Sequence, residues 1–143
     1  MKIKIIDYKT IHKTRYKKVD GHLVGDFLGV DYRIGQGWFV NHLPSGYLVT
    51  YAAFLTLDDA KHFAEIMQRI FGDALAHPTP SVLKDNLDSK EAIAFYGLRL
   101  RLESLNRPIT VEDTNEYLTG LVRTDQSQRV RVGGKSLASA GLS

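Results

Sequence analysis

The sequence contains no cysteine. That removes disulfides, thiolate zinc sites and cysteine nucleophiles together. It fits a reducing compartment. Long apolar runs are missing too. No stretch approaches the roughly 20 residues needed to cross a bilayer. At the start, Met1-Lys2-Ile3-Lys4-Ile5-Ile6 runs into Asp7, Lys9 and Lys13 before an export signal's apolar region can form. No membrane partner is expected, and the expected location is cytoplasmic. No internal repeat is present, and no Gly-x-Ser-x-Gly elbow of a serine hydrolase. Gly134-Lys135-Ser136 matches only the end of a phosphate-binding loop, because Arg129 stands where the first glycine belongs.

What is there reads as one folded unit. The chain has 143 residues, 43% hydrophobic and 24% charged, enough to bury a core without a metal or disulfide staple. The net charge of +3 is spread unevenly. Residues 1–18 hold seven basic residues against one acid, residues 19–97 five against ten, and residues 98–143 seven against five. A basic leading segment on an acidic body steers toward phosphates or toward an acidic protein face. The plainer reading is that strand lysines keep an exposed edge from aggregating.

Hydrophobic periodicity gives the elements. Lys2 to Lys9 is rich in Ile and Tyr and reads as a strand, and a second extended piece runs from Ile11 to Val19. Asp20-Gly21 is a hairpin signal. From Phe27 to Ile34, Leu28, Val30, Tyr32 and Ile34 alternate with Gly29, Asp31 and Arg33. That period of two marks a half-buried strand. Trp38 to Leu43 follows, with Trp38, Val40 and His42 on one face and Phe39, Asn41 and Leu43 on the other. Pro44-Ser45-Gly46 turns the chain, and Tyr47 to Ala53 returns as a further strand. Connections this short favour antiparallel neighbours.

The period then changes. Thr56 and Asp59 are spaced as a capping box, and Ala60, Phe63, Ala64, Met67, Ile70 and Phe71 form one helical stripe that ends near Gly72. Pro78 and Pro80 mark a connector. A second helix is expected from Ser89 to Leu105, although Leu98, Leu100 and Leu102 alternate with arginines at strand period. Its length and its few β-branched residues favour helix. Thr110 and Asp113 repeat the capping pattern ahead of a short helix ending at Leu121.

The expected fold is therefore α+β: an antiparallel sheet of four to five strands over residues 2–53, a long packed helix over 57–71, and a helical part over 89–121. Residues 1–76 form the meander and helix, 77–124 a helical extension of the same domain, and 125–143 a flexible basic tail.

No catalytic constellation stands out. Asp58 and His62, four apart on a helix, have the spacing of paired metal ligands. They lie away from the apolar stripe, and no supporting shell is evident, so a solvated polar face is the expected reading. His42 sits at a strand end beside a turn, where an enzyme would place a proton-transfer group. The alternative is a histidine that hydrogen-bonds its own turn. No metal and no cofactor are implied.

Three functions follow. The favoured one is a non-catalytic protein-binding module, an inhibitor or adaptor, with aromatic anchors Tyr16, Tyr32, Trp38 and Tyr47 and with self-association open. These aromatics also suit cross-strand pairing in the sheet. The second is a nucleic-acid binder using Lys13, Arg15, Lys17 and Lys18, or Arg123, Arg129 and Arg131 beside a helix pair resembling a winged helix–turn–helix. Glu112, Asp113 and Glu116 on the would-be reading helix oppose it. The third is a small enzyme with a site near His42. Small size, a basic start and compact hairpins resemble the make-up of small phage or plasmid accessory proteins, a likeness that assigns no residue a role.

Overall fold

The computed structural model describes residues 1–7, 15–78 and 90–118. Among these residues five strands are formed: β1 (Lys2–Ile6), β2 (Tyr16–Asp20), β3 (His22–Val24), β4 (Leu28–Arg33) and β5 (Gly37–His42). They are followed by helix α1 (Leu57–Phe71), a 3₁₀ turn (Gly72–Ala76), helix α2 (Lys90–Ser104) and helix α3 over 111–118. The fold is α+β, as the periodicities indicate.

The strands do not make one sheet of four or five. They make two antiparallel sheets, β1-β2 and β3-β4-β5. The cause is Gly21. Asp20-Gly21 is not a hairpin turn; it is a bend that lets one nearly continuous strand serve both sheets. Gly21 donates its N–H to the Met1 carbonyl at 2.7 Å, which continues the β1 ladder. A methyl group on Gly21 would meet the Val30 carbonyl oxygen at 2.9 Å and Ile3 Cδ1 at 2.6 Å. Only glycine permits that approach. The hairpin turn comes later, at Gly25, whose φ of 64° is the left-handed conformation that turn requires.

Strand parity fixes which edge faces which way. In β5, Trp38, Val40 and His42 exchange backbone hydrogen bonds with the 47–54 segment. Phe39 and Asn41 therefore bond β4, and Val30 and Tyr32 of β4 point their backbone groups toward β3. On β2 the bonds from Gly21 to Met1 and from Asp7 to Arg15 make Lys17 and Val19 the residues that bond β1. Thus β1 lies on one edge of the bent strand and β4 on the other.

Each face of the β3-β4-β5 sheet is covered. Leu28, Val30 and Val40 pack on α1 through Ala60, Phe63, Ala64 and Met67, all fully buried. Rings carry the core onward: Phe54 to Phe63 at 5.1 Å, Phe63 to Phe95 at 4.9 Å and Phe95 to Phe71 at 5.7 Å. The other face is covered by the β1-β2 hairpin, which folds across it. Ile3 reaches within 3.1 Å of where a Gly29 methyl would stand, and Ile6 donates its N–H to the Gly46 carbonyl at 2.9 Å.

The expected strand from Tyr47 to Ala53 is not continuous. Leu48 and Phe54 make isolated bridges to β5, while the chain between them departs from the ladder. The departure is held by α2: Glu103 Oε2 accepts from Thr50 Oγ1 at 2.9 Å and from the Tyr51 N–H at 2.8 Å. The α2 segment is helical in spite of its alternating leucines. Leu98 and Leu102, four apart, are buried, and Leu100 faces out.

Both capping boxes are formed. The Asp59 carboxylate accepts from the Thr56 N–H at 2.9 Å and the Thr56 hydroxyl at 2.7 Å. Its other oxygen accepts from the Val111 N–H at 2.8 Å, so one buried side chain caps α1 and the start of α3. Asp113 repeats the box at Thr110, and the Arg107 guanidinium beside it holds its carboxyl far below the usual carboxylate range. Asp59→Ala should therefore cost about 2–3 kcal/mol, against about 1 for Thr56→Ala, because only the former also uncaps α3. Urea denaturation measures both. Equal losses would mean that the α3 link contributes nothing.

Candidate binding cleft at the open end of the folded-over sheet

The polar residues of β4 and β5 meet on the face covered by the hairpin. Asn41 is fully buried, and its Nδ2 donates to Asp31 Oδ1 at 2.7 Å and to the Gly29 carbonyl at 3.3 Å. Arg33 Nε donates to Asp31 Oδ2 at 3.1 Å, and Arg33 Nη2 donates to Asn41 Oδ1 at 3.1 Å. The guanidinium also lies over the Phe39 ring, 4.8 Å from its centroid. A buried carboxylate is tolerated only when paired and hydrogen-bonded. Arg33 and Asn41 satisfy Asp31 and thereby fix each other.

This network floors a cleft of about 700 Å³ where the hairpin and the sheet diverge. Lys17 and Val19 of β2 form one wall. Phe39, Leu48 and Tyr51 form another, and Tyr32, Ile34 and Gln36 stand at the mouth. Three lining residues with apolar surface are exposed: Ile34 91%, Tyr51 74% and Tyr32 53%. A smaller hollow of about 260 Å³ adjoins through Gln36 and Tyr51 and is lined by Glu103, Asn106 and Arg107.

Of the four expected aromatic anchors, only Tyr32 lines the cleft. It also pairs across the ladder with Trp38, ring centroids 5.2 Å apart, and Trp38 in turn packs near His22 at 6.0 Å. Trp38 is a core-flanking residue. Tyr16 lies beneath the Lys4 ammonium, 5.0 Å from its ring centroid, and beside Gly46. Tyr47 is half-buried after the turn. Among the expected cations, Arg15, Lys17 and Lys18 are exposed, but Lys17 and Lys18 point to opposite faces of β2. Lys13, Arg123, Arg129 and Arg131 lie outside the described residues, as does the 125–143 tail.

Sequence reasoning missed Ile34 and Tyr51. Alternation puts Ile34 in the strand, yet β4 ends at Arg33 and Ile34 opens the turn. An apolar residue directly before Gly35-Gln36-Gly37 was the available signal.

His42 is sealed rather than presented. It is fully buried; its Nε2 donates to the Leu75 carbonyl at 2.7 Å, so Nδ1 is the acceptor, 2.7 Å from the Ser45 hydroxyl. Ser45 is buried as well and accepts the Tyr47 N–H at 3.2 Å. The pair has the spacing of a base and a nucleophile, but its third partner is a backbone carbonyl and no solvent reaches it. It ties the end of β5 to the 3₁₀ turn. His62 donates from Nε2 to Asn115 Oδ1 at 2.9 Å, joining α1 to α3. Among the described residues no group of three or more His, Asp or Glu side chains is arranged to hold a metal ion, and no helix is long and apolar enough to cross a membrane.

No family model matches the chain, and neither the curated proteins nor the solved structures contain a match.

Burial lowers the His42 pKa below its ordinary value near 6.5. The unfolded chain therefore takes up this proton before the folded one does. Stability from neutral His42 is fully present above the ordinary value and falls as pH drops below it. Unfolding free energies from urea titrations between pH 8 and 5 should fall for the wild type, His42 contributing at most about 1.4 kcal/mol per pH unit. His42→Gln, less stable at pH 8, should show a flatter profile. Parallel profiles would mean that His42 titrates alike folded and unfolded.

Proposed function

We propose that the chain is a non-catalytic, intracellular protein-binding module, an inhibitor or adaptor that engages its partner at the cleft mouth. One observation carries this reading: Tyr32, Ile34 and Tyr51 expose apolar surface around a cavity whose floor residues already hydrogen-bond one another. Isolated exposed hydrophobes are ordinary on protein surfaces, but a cluster around a preformed cavity is the anatomy of a binding hot spot. The volume lies in the range that accepts a ligand or a large side chain. Covering an exposed isoleucine or tyrosine is worth roughly 1.5–3 kcal/mol.

The anchors are held in place. Glu103 fixes the Tyr51 backbone, and the Trp38 ring supports Tyr32. Less side-chain freedom is then lost on binding. The buried His42–Ser45 pair favours this reading over an enzyme built on His42. The alternation of Lys17 and Lys18 favours it over a phosphate-tracking surface on β2.

The test is capture from lysate of the source cells after nuclease treatment, with wild type, Ile34→Asp and Tyr51→Ala compared. Ile93→Asp, which changes an exposed apolar residue of α2, is the control. A partner retained by wild type and control, and weakened at least about tenfold by both cleft variants, is the expected result. The exposure of Ile34 and Tyr51 predicts stability changes within about 0.5 kcal/mol for both. A partner that all four proteins retain equally would refute the cleft as the binding site.

A further inference from the structure

We propose that the open edge of β2 is a strand-addition site for an extended acidic segment of a protein partner. The inference rests on the protein-binding reading above and names the partner's chemistry.

Three observations carry it. The first is parity. Lys17 and Val19 spend their backbone groups on β1, which leaves the N–H and C=O groups of Tyr16, Lys18 and Asp20 directed to the other edge. Among the described residues no strand pairs with that edge. On β4 the β3 ladder stops at Val30, so the stretch from Asp31 to Arg33 has strand pairing only on its β5 side. The bend at Gly21 thus draws apart two edges that would otherwise pair, and the cleft opens between them. A strand laid along β2 lies at the cleft mouth.

The second observation is charge. Lys4 and Lys18 are directly opposed on the outer face of the hairpin, and like charges across a ladder are unfavourable. Asp20 is engaged by Lys2 at 2.9 Å, and no carboxylate of the described residues pairs with Lys17 or Lys18. A carboxylate beside Lys18 on an added strand relieves the repulsion.

The third is what the same charges exclude. A second copy pairing through β2 sets its own Arg15, Lys17 and Lys18 against this set, as edge lysines do to prevent self-pairing. The 121–143 stretch carries Arg123, Arg129, Arg131 and Lys135 against Asp125 and has the same sign. Nucleic acid offers anions but no backbone that completes a β ladder, and Lys17 and Lys18 do not share a face. A strand with acids on one face, toward Lys18, and apolar residues on the other, toward Val19 and the cleft, satisfies edge, charge and cavity together.

The probe is a fluorescein-labelled peptide of alternating glutamate and valine, titrated by anisotropy against the full chain. Comparison probes are its alternating lysine and valine counterpart, a backbone N-methylated version and an oligo-dT strand. The acidic peptide should bind at least about tenfold more tightly than the other three. Lys18→Glu should weaken it severalfold. Lys18→Pro removes an outward N–H while sparing the β1 ladder and should weaken it at least about tenfold. Amide hydrogen exchange on the wild type decides without any variant. Lys17 and Val19 should be protected in the free protein, and Tyr16, Lys18 and Asp20 should gain protection only when the peptide is added. No binding, equal binding of the N-methylated or lysine peptides, preference for oligo-dT, or unchanged exchange at Tyr16, Lys18 and Asp20 would each overturn strand addition. The two readings separate in the capture assay: a partner lost with Ile34→Asp but kept by Lys18→Pro leaves the cleft standing and removes strand addition.

Discussion

The close approach at Gly21 is the constraint from which the rest of the strand region follows. With no side chain, this residue passes within contact of the Val30 carbonyl and of Ile3, and the chain bends there without breaking its hydrogen bonding. One strand can then pair with β1 before the bend and with β4 after it. The hairpin is carried over the face of β4 and β5 that would otherwise meet water. That fold-over makes Asp31 and Asn41 buried, which in turn demands the Arg33 pairing. It also opens the cleft. Site and fold share one origin, so any side chain at position 21 would disturb both.

A second set of constraints holds the helical layer in register with the sheet. Three polar ties among the described residues serve it: Asp59 caps two helices, the buried His42 links the end of β5 to the turn after α1, and Glu103 accepts from Thr50 and the Tyr51 N–H. Buried polar groups cost stability unless each finds its partner, so these contacts specify one arrangement as much as they stabilise it. The Glu103 tie bears directly on the site. It acts together with the Arg99 bond to the Val49 carbonyl and the Ile109 bond to the Ala53 carbonyl on the segment whose composition suggests a regular strand. Tyr51, whose N–H the Glu103 carboxylate accepts, lines the cleft.

The local elements were legible because each depended on short-range chemistry. The α1 boundaries follow from the Thr56–Asp59 box and Gly72, which the structure reproduces from Leu57 to Phe71. The faces of β5 follow from alternation. What the sequence hid was set by contacts distant along the chain. Asp20-Gly21 carries the composition of a hairpin turn, and only the packing of Ile3 and Val30 makes it a bend. The run from Tyr47 to Ala53 looks like a strand, but contacts some fifty residues on, from Glu103 to Thr50 and Tyr51, from Arg99 to Val49 and from Ile109 to Ala53, hold it out of a regular ladder. The site was half visible for the same reason. Tyr32 stood out as an aromatic in a strand, whereas Ile34 and Tyr51 owe their exposure to a strand end and to a tie that periodicity does not report.

The lysines of β2 carry two meanings. As an edge device they keep an open strand from pairing with its own kind, which a short two-stranded sheet needs. Yet edge protection alone does not account for their placement. Lys4 and Lys18 repel across the ladder, and a protective edge is served equally well by lysine opposite a carboxylate, as Lys2 opposite Asp20 shows. Arg15, Lys17 and Lys18 instead set three cations beside a cleft whose lining mixes the apolar Val19, Ile34 and Phe39 with Asp7, Asp31 and Arg33. A surface that repels copies of itself, attracts the opposite charge and offers unpaired backbone at a preformed cavity discriminates by sign as well as by shape. The stability forgone in the hairpin is small, a few tenths of a kcal/mol for such a pair. Under the strand-addition proposal, that small loss accompanies a preference for an acidic strand.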